Sequence, residues 1–437
     1  MTLMQRIQDR DARVGVIGLG YVGLPLAVVA AKAGFPVTGF DVDASKMERL
    51  DTGRSYIEAV EDDDLAAVRS AFDWTTDFSR LSDCDVIIIC VPTPLTQHRE
   101  PDLSYVERTA ETIAEHVTPD TLVVLESTTY PGTTEEVLTP ILARSGLTPG
   151  EDLFVGFSPE REDPGNATFR TDTIPKIVAG DGDVAGDLAE AFYGAVVEQV
   201  VRVPSTATAE AVKITENIFR SVNIALVNEL KLIYDEMNID VWDVIDGAAT
   251  KPFGFMPFYP GPGLGGHCIP IDPFYLTWRA REFEVPTRFI ELAGEINTDM
   301  PRHVVARTRE VLDRQTGRGL SASKVLLVGV AYKKNVSDMR ESPAMRLMEL
   351  LEEAGAKVDF VDPHVPLIPP MREYKQYEQR AATDPAALSP GDYDLVLIAT
   401  DHDMIDYQAL LRLGCPVIDT RNAIARRGLP MDRVTKV

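Results

Sequence analysis

The residue types in this 437-residue chain that could do covalent chemistry converge on one segment, Gly261-Pro262-Gly263-Leu264-Gly265-Gly266-His267-Cys268-Ile269-Pro270-Ile271-Asp272. Four glycines within six residues let the backbone come close to a ligand and turn several N–H groups towards one point, as a phosphate or an oxyanion needs. Cys268 stands in that loop beside polar groups, where a thiol can ionise and act as a nucleophile. Cys84, Cys90 and Cys415 border apolar runs and read as small buried hydrophobes. His267 invites a cysteine–histidine dyad, but neighbours in extended backbone point to opposite sides, so it reads as a structural loop histidine. Scattered histidines and isolated cysteines show no metal-ligand spacing, and no metal is expected.

Other candidates lie far away in the chain. Lys213 and Asn217 are one helical turn apart and share a face. A buried ammonium beside an amide can hydrogen-bond a developing oxyanion, and the ammonium can lower a nearby thiol's pKa; a solvated polar stripe is the alternative. Glu160, in Ser158-Pro159-Glu160-Arg161 just past the apolar run Leu153 to Phe157, is either a general base or an exposed loop glutamate. Lys333 and Arg340, after a later apolar run, offer positive charge to an anionic ligand, or form a solvated basic turn.

The elements that must hold these groups can be read from the apolar pattern. Val14 to Ile17 leads into Gly18-Leu19-Gly20-Tyr21-Val22-Gly23, then an Ala/Val-rich helix ending near Gly34, then Pro36 to Phe40 ending in Asp41. Strand, glycine turn, helix, strand and acid form the setting of a dinucleotide fingerprint. Gly18 permits the tight turn, Gly20 the approach of a pyrophosphate, and Gly23 the packing of helix on strand. Asp41 can accept from a ribose diol and would repel a 2′-phosphate, so NAD is expected over NADP.

Val86 to Val91, running into Pro92-Thr93-Pro94, and Leu122 to Leu125, opening into Glu126-Ser127-Thr128-Thr129, read as further parallel strands. Loops at their carboxyl ends are where such a sheet binds its ligand. Thr206 to Met237 lacks Gly and Pro and reads as one long helix, apolar on more than one side, of the kind buried between domains or subunits. A homodimer or higher homo-oligomer is therefore expected. Lys324 to Val330, a helix from Pro343 to Ala354, Lys357 to Val361 ending in Asp362, Leu395 to Ala399 and Val417 to Asp419 form a second doubly wound pattern without a fingerprint. The expected class is α/β, with two Rossmann-like doubly wound domains joined by a long central helix and helical domain, divided 1–205, 206–315 and 316–437.

Composition removes several functions. With 68 acidic against 43 basic residues the formal net charge is −25, which repels nucleic acid and anionic membrane. An anionic ligand must then be held by local amides and a few Lys or Arg. A chain that is 45% hydrophobic is not disordered. No apolar run approaches the roughly 18 residues of a membrane span, the N-terminus has no apolar signal core, and the four cysteines make no disulfide framework. A cytoplasmic protein is expected.

Taken in order along the chain, Gly18 to Gly23, Val91-Pro92-Thr93-Pro94, Glu126-Ser127-Thr128, Ser158 to Arg161, Lys213 to Asn217, Gly265 to Cys268 and Arg340-Glu341-Ser342-Pro343 resemble the UDP-glucose/GDP-mannose dehydrogenase family. Within it, Gly261 to Leu276 is similar to the UDP-N-acetylglucosamine 6-dehydrogenase branch. The resemblance implies a four-electron oxidation of a sugar C6 hydroxyl, with Cys268 forming first a thiohemiacetal and then a thioester, for a cell-surface polysaccharide precursor. It implies oxyanion donors in Lys213 and Asn217, water activation by Asp272, and Glu160 and Thr128 in the same cleft. NAD would meet Gly18, Gly20, Tyr21, Val22, Gly23, Asp41, Lys46, Pro92, Thr93, Ser127, Thr128 and Arg340. The UDP-sugar would meet Glu160, Arg161, Lys213, Asn217, Tyr259, Gly263, Gly265 and Lys333. Two departures stand out: the UDP-glucose branch has a second glutamate where this chain has Pro164, and the segment Lys251 to Phe255 lacks the arginine by which that branch reaches a neighbouring subunit. UDP-N-acetylmannosamine and UDP-glucose are the alternative substrates. A two-electron hydroxy-acid dehydrogenase and an NAD-sensing module are remoter readings.

Overall fold

Val14–Ile17 (β1), Val86–Ile89 (β4), Thr121–Leu125 (β5) and Leu153–Phe157 (β6) are buried along their whole length. Such continuous apolar runs are what strands covered by helices on both faces require. In the computed structural model, which describes every residue except 58, 97, 162–170, 267 and 372, these strands form the centre of an eight-stranded sheet. Val37–Phe40 (β2), Phe72–Thr75 (β3), Lys176–Gly180 (β7) and Val200–Arg202 (β8) complete it in the order β3-β2-β1-β4-β5-β6-β7-β8. Every pairing is parallel except β6 with β7. The order reverses between β1 and β4, and the crevice at their carboxyl ends is the ligand position of a doubly wound sheet.

A second, wholly parallel sheet has the order β10-β9-β11-β12-β13, from Lys324–Val328 (β9), Lys357–Val361 (β10), Leu395–Ile398 (β11), Val417–Asp419 (β12) and Val434–Lys436 (β13). The helix Pro343–Glu353 covering it starts with Pro343 in its first turn and with Ser342 accepting the Ala344 amide, two ordinary start signals. The strands β4, β9 and β11 stop one or two residues short of their apolar runs. At β9 the reason is Gly329, at φ +81°, where the chain turns out of the sheet.

The expected long helix spans Thr206–Glu236, and a second one, Arg288–Thr316, contains Pro301. The chain divides into two compact units, Met1–Glu216 with Phe274–Val285, and Asn217–Pro273 with Pro286–Val437. The expected segment 206–315 is thus shared between both. Among the described residues, no helix is long and apolar enough to cross a membrane.

In the first unit, the start of the long helix is tied to the loop that follows β5. Glu210, fully buried, accepts the amides of Gly132 (2.6 Å) and Thr134 (2.9 Å) and the Thr134 hydroxyl (2.7 Å). Burial pushes its carboxyl up to about 7, with Glu135 adding repulsion and the hydrogen bonds opposing. Arg279 lies across the same turn, paired with Glu136. The group's folded pKa is raised above its unfolded value of 4.5, so its stabilising contribution is complete below pH 4.5 and is lost as pH rises through 7. Melting temperature measured from pH 5 to 8 is therefore expected to fall less steeply in Glu210→Gln than in the parent, and identical slopes would contradict the assignment.

Candidate functional site

The glycine turn after β1 carries two glycines that the protein itself demands and one that it does not. Gly18 has φ +91°, and a Cβ there would stand 2.5 Å from the Cys90 carbonyl oxygen; one on Gly23 would collide with the carbonyl of Gly18. A Cβ on Gly20 would meet nothing within 4 Å. That glycine faces open space, as a ligand's close approach requires. The helix Gly23–Lys32 begins there with no side-chain cap; its Leu24 and Leu26 amides donate to the Gly20 and Val22 carbonyls, and Pro25 has no N–H. Asp41 follows β2 with one oxygen on the Leu19 amide (2.9 Å) and the other on that of Asp43 (3.0 Å), and Lys46 Nζ lies 2.6 Å away. These residues fit NAD.

The carboxyl ends of β4, β5 and β6 complete this side. The Thr93 hydroxyl donates to the Thr128 carbonyl (2.7 Å), and that of Ser127 to the Val91 carbonyl (2.7 Å), so the loops 91–94 and 126–129 brace each other. Tyr275 donates to the Thr93 carbonyl. Beneath them lies a buried network that sequence reasoning missed. Lys176 donates to Glu126 at 2.8 Å, and the Tyr193 hydroxyl donates to the other Glu126 oxygen at 2.6 Å. Burial disfavours the Lys176 ammonium, but Glu126 and Glu160 outweigh it and hold Lys176 above the usual lysine range. Glu160 therefore faces a fixed buried cation. Arg161 is occupied by Glu216 (2.5 Å) and the Pro175 carbonyl (2.6 Å). Lys213, although 6% exposed, has no hydrogen-bond partner among the described residues, as a group kept for a ligand would.

In the second unit the structure brings two of the expected residues together. Asn217 Nδ2 donates to Asp272 Oδ2 at 2.6 Å, both side chains buried. Asp272 also begins the helix Asp272–Glu282, and its amide, like that of Ile271, donates to the Cys268 carbonyl (2.8 and 3.1 Å). Cys268 is thereby fixed at the foot of a tight turn two residues after the last glycine. His267 and Pro164 lie outside the described residues.

The glycines of the loop serve the chain first. A Cβ on Gly265 would lie 2.7 Å from the Tyr332 Cβ, one on Gly266 2.9 Å from the Tyr332 ring, and one on Gly263 (φ +137°) 3.2 Å from Pro343. The Gly266 amide donates to the Arg340 carbonyl (3.1 Å). The expectation that glycine freedom is there for a ligand is to this extent corrected: it lets the cysteine loop lie against the segment 332–343 that carries Lys333. Arg340 forks onto Asp338, Nη2 to Oδ2 at 2.6 Å, and the Tyr259 hydroxyl donates to Asp246 (2.6 Å) beneath Arg426. Gly261 leaves room for Arg421, whose Nε donates to the Ala399 carbonyl at 2.8 Å. Burial pulls Arg421 down against Asp401 and Asp419. Sequence reading passed over this arginine, although a basic residue just past the apolar β12 carries the same signal as Lys333.

Of the three cysteines expected as small buried hydrophobes, Cys84 and Cys415 are buried, while Cys90, like Cys268, is half-buried. Burial pushes Cys84 up to about 12 and Cys415 to about 11, and holds Cys90 well above the usual thiol range, with Glu126 adding to it. None of the three can be a thiolate at neutral pH. Among the described residues no group of His, Cys, Asp and Glu could hold a metal.

Comparison with known proteins agrees with this geometry. Family models of the UDP-glucose/GDP-mannose dehydrogenase family match in order: the NAD binding domain at residues 12–197, the central domain at 207–299 and the UDP binding domain at 326–426. The chain is 36% identical over 398 residues to a UDP-N-acetyl-D-glucosamine 6-dehydrogenase of Pseudomonas aeruginosa, covering 90% of this chain and 91% of that one. It is 35% identical over 393 residues, 89% of each chain, to a UDP-N-acetyl-D-mannosamine dehydrogenase of Pyrococcus horikoshii. A solved UDP-N-acetylmannosamine dehydrogenase structure from that organism superposes with TM-score 0.87, covering 97% of this chain and 99% of that one at 33% identity. The chain belongs to the UDP-glucose/GDP-mannose dehydrogenase family of NAD-dependent oxidoreductases.

Proposed function

We propose that this enzyme oxidises the C6 hydroxyl of a UDP-N-acetylhexosamine, UDP-N-acetylglucosamine before its epimers, to the uronic acid in two steps. The observation that carries the reading is Cys268, a half-buried cysteine outside the apolar strands, in a loop anchored by the Asn217–Asp272 hydrogen bond. The relative from P. aeruginosa and the residues Cys268 to Leu276 support the N-acetylglucosamine branch. In this reading the segment 1–205 carries NAD, 206–315 the cysteine loop and the subunit contact, and 316–437 the nucleotide sugar. Arg340, spoken for by Asp338, would reach the cofactor only by exchanging that partner.

NAD supplies the hydride acceptor for each oxidation. The chain's own groups do the rest. The Cys268 sulfur adds to the C6 aldehyde, and the oxygen of the resulting thiohemiacetal is stabilised by the Lys213 ammonium and the free N–H of the Asn217 amide. Loss of the second hydride leaves a thioester. Water, deprotonated with the help of Asp272 or Glu160, adds to it, and the C–S bond breaks to release carboxylate and thiolate. Overall, one sugar alcohol, two NAD and one water give one carboxylate, two NADH and three protons.

The long helix exposes Phe219, Leu226 and Ile233, each 46–49% accessible and seven residues apart. That spacing makes one apolar stripe, and we assign it to a second copy of this chain in a cytoplasmic homodimer. Sedimentation of Leu226→Glu should show a shift towards monomer; an unchanged dimer would place the contact elsewhere.

Assayed with UDP-glucose and with UDP-linked N-acetylglucosamine, N-acetylgalactosamine and N-acetylmannosamine, the enzyme should release two NADH per molecule of its preferred N-acetyl sugar. One NADH per sugar, or preference for UDP-glucose, would sink the reading. Cys268→Ser should lose about 10³-fold or more in kcat, and Lys213→Met about 10²–10³-fold with a smaller change in KM.

A further inference from the structure

Among the buried groups that the reaction leaves unused is a histidine whose proton can be placed from its partners. His402, beyond β11, and Asp362, beyond β10, have wholly buried side chains. His402 Nδ1 receives the Asn335 N–H at 3.0 Å, so that nitrogen carries no proton. Nε2 must then be the protonated one, and it donates to Asp362 Oδ2, also at 3.0 Å. Asp362 is itself immobilised by the amides of Val330 (2.8 Å), Ala331 (3.0 Å), His364 (2.8 Å) and Val365 (3.1 Å).

What the imidazole holds is the turn that carries Lys333. Asn335 has φ +60°, a left-handed conformation unfavourable without support. Besides its amide on His402, its side chain donates to Asp403 (2.7 Å) and accepts the Asp403 amide (2.9 Å), while Lys334 pairs with Asp403 (2.6 Å). The near end of the turn is fixed by the Thr400 hydroxyl on the Ala331 carbonyl (2.7 Å) and by the Tyr332 amide on the Asp338 carbonyl (2.9 Å). Tyr332 in turn backs Gly265 and Gly266, three and two residues before Cys268. One neutral imidazole thus closes a clasp around the segment shared by Lys333 and the cysteine loop.

We propose that His402 is a positioning residue for the nucleotide sugar: as acceptor of the Asn335 amide and donor to Asp362, it fixes the turn that presents Lys333. This rests on the assignment of Lys333 to the nucleotide sugar. A histidine that merely fills space is replaceable by any side chain of similar volume. A positioning one is replaceable only by a group that accepts from an amide and donates to a carboxylate at once, as a glutamine can and a leucine cannot.

The test measures binding of UDP and of NAD by calorimetry, and kcat and KM with UDP-N-acetylglucosamine, on the full chain and two variants checked by thermal melt. His402→Leu should weaken UDP and raise the sugar's KM by about tenfold or more, with kcat and NAD affinity within about threefold. His402→Gln should return UDP affinity to within about threefold of the parent. UDP affinity unchanged in His402→Leu, or no recovery in His402→Gln, overturns the proposal. Should His402→Leu fail to fold, Asn335→Ala, which keeps the amide on His402 but removes the side-chain bonds to Asp403, tests the other half of the proposal, that a fixed turn presents Lys333: weaker UDP with unchanged NAD supports it, and unchanged UDP overturns it. A parent enzyme that binds no UDP overturns the functional reading as well, whereas a parent that binds UDP beside an indifferent His402→Leu overturns this proposal alone.

Discussion

The 2.6 Å hydrogen bond from Asn217 to Asp272 is the constraint on which the reactive loop depends. A run of four glycines has no conformation of its own, and its ordering entropy must be offset by contacts elsewhere. Here the exit of the loop is pinned to a long helix through Asn217, while its entrance and middle lie on Arg421, Pro343 and Tyr332. With both ends fixed, the loop around Cys268 has one position rather than many, as the proposed attack of this thiol on an aldehyde would need.

The acidity of the whole chain makes local design visible. A surface with net charge −25 resists any phosphate, so each cation near the ligand loops must be held in place rather than left to diffuse counterions. The structure does so with carboxylates that outnumber the cations they steady. Lys46 sits on Asp41, Arg340 on Asp338, Lys334 on Asp403, and Arg421 between Asp401 and Asp419. Lys213 departs from the pattern, since among the described residues nothing pairs it.

The strand-and-glycine framework was legible because it rests on local signals: continuous apolar runs, turn glycines at fixed spacing and an acid after the second strand. β1, β6, β10 and β12 begin and end where the apolar pattern does. The short strands β3 and β8 were not legible, since Phe72–Thr75 offers only two apolar residues in four and Val200–Arg202 is three residues long and partly exposed. Cys268 on its loop and Lys213 on the long helix could be named as candidates because residue type and local spacing announce chemistry. Lys176 and His402 were missed because their roles come from partners 50 and 40 residues away, Glu126 and Asp362, which no spacing rule connects.

The two sheets repeat one device, and the point where the copies differ accounts for the division of labour. After β1, the Gly18 amide bonds the carbonyl of Phe40 at the end of β2, and Asp41 accepts the amide of Leu19. After β9, the Gly329 amide bonds the carbonyl of Val361 at the end of β10, and Asp362 accepts the amides of Val330 and Ala331. Both first glycines have positive φ, and a Cβ on either would run into the carbonyl of the residue just beyond the adjacent strand, Cys90 or Thr400. The copies diverge at the second residue after that glycine. Gly20 faces open space, whereas Ala331 occupies the matching place, buried and with its carbonyl capped by Thr400. With that place filled, the second turn lacks the opening that a dinucleotide uses, and its acid is paired with a buried His402 where Asp41 is paired with Lys46. It keeps instead a turn bearing Lys333 and Lys334, as the proposed contact of Lys333 with a nucleotide sugar would need.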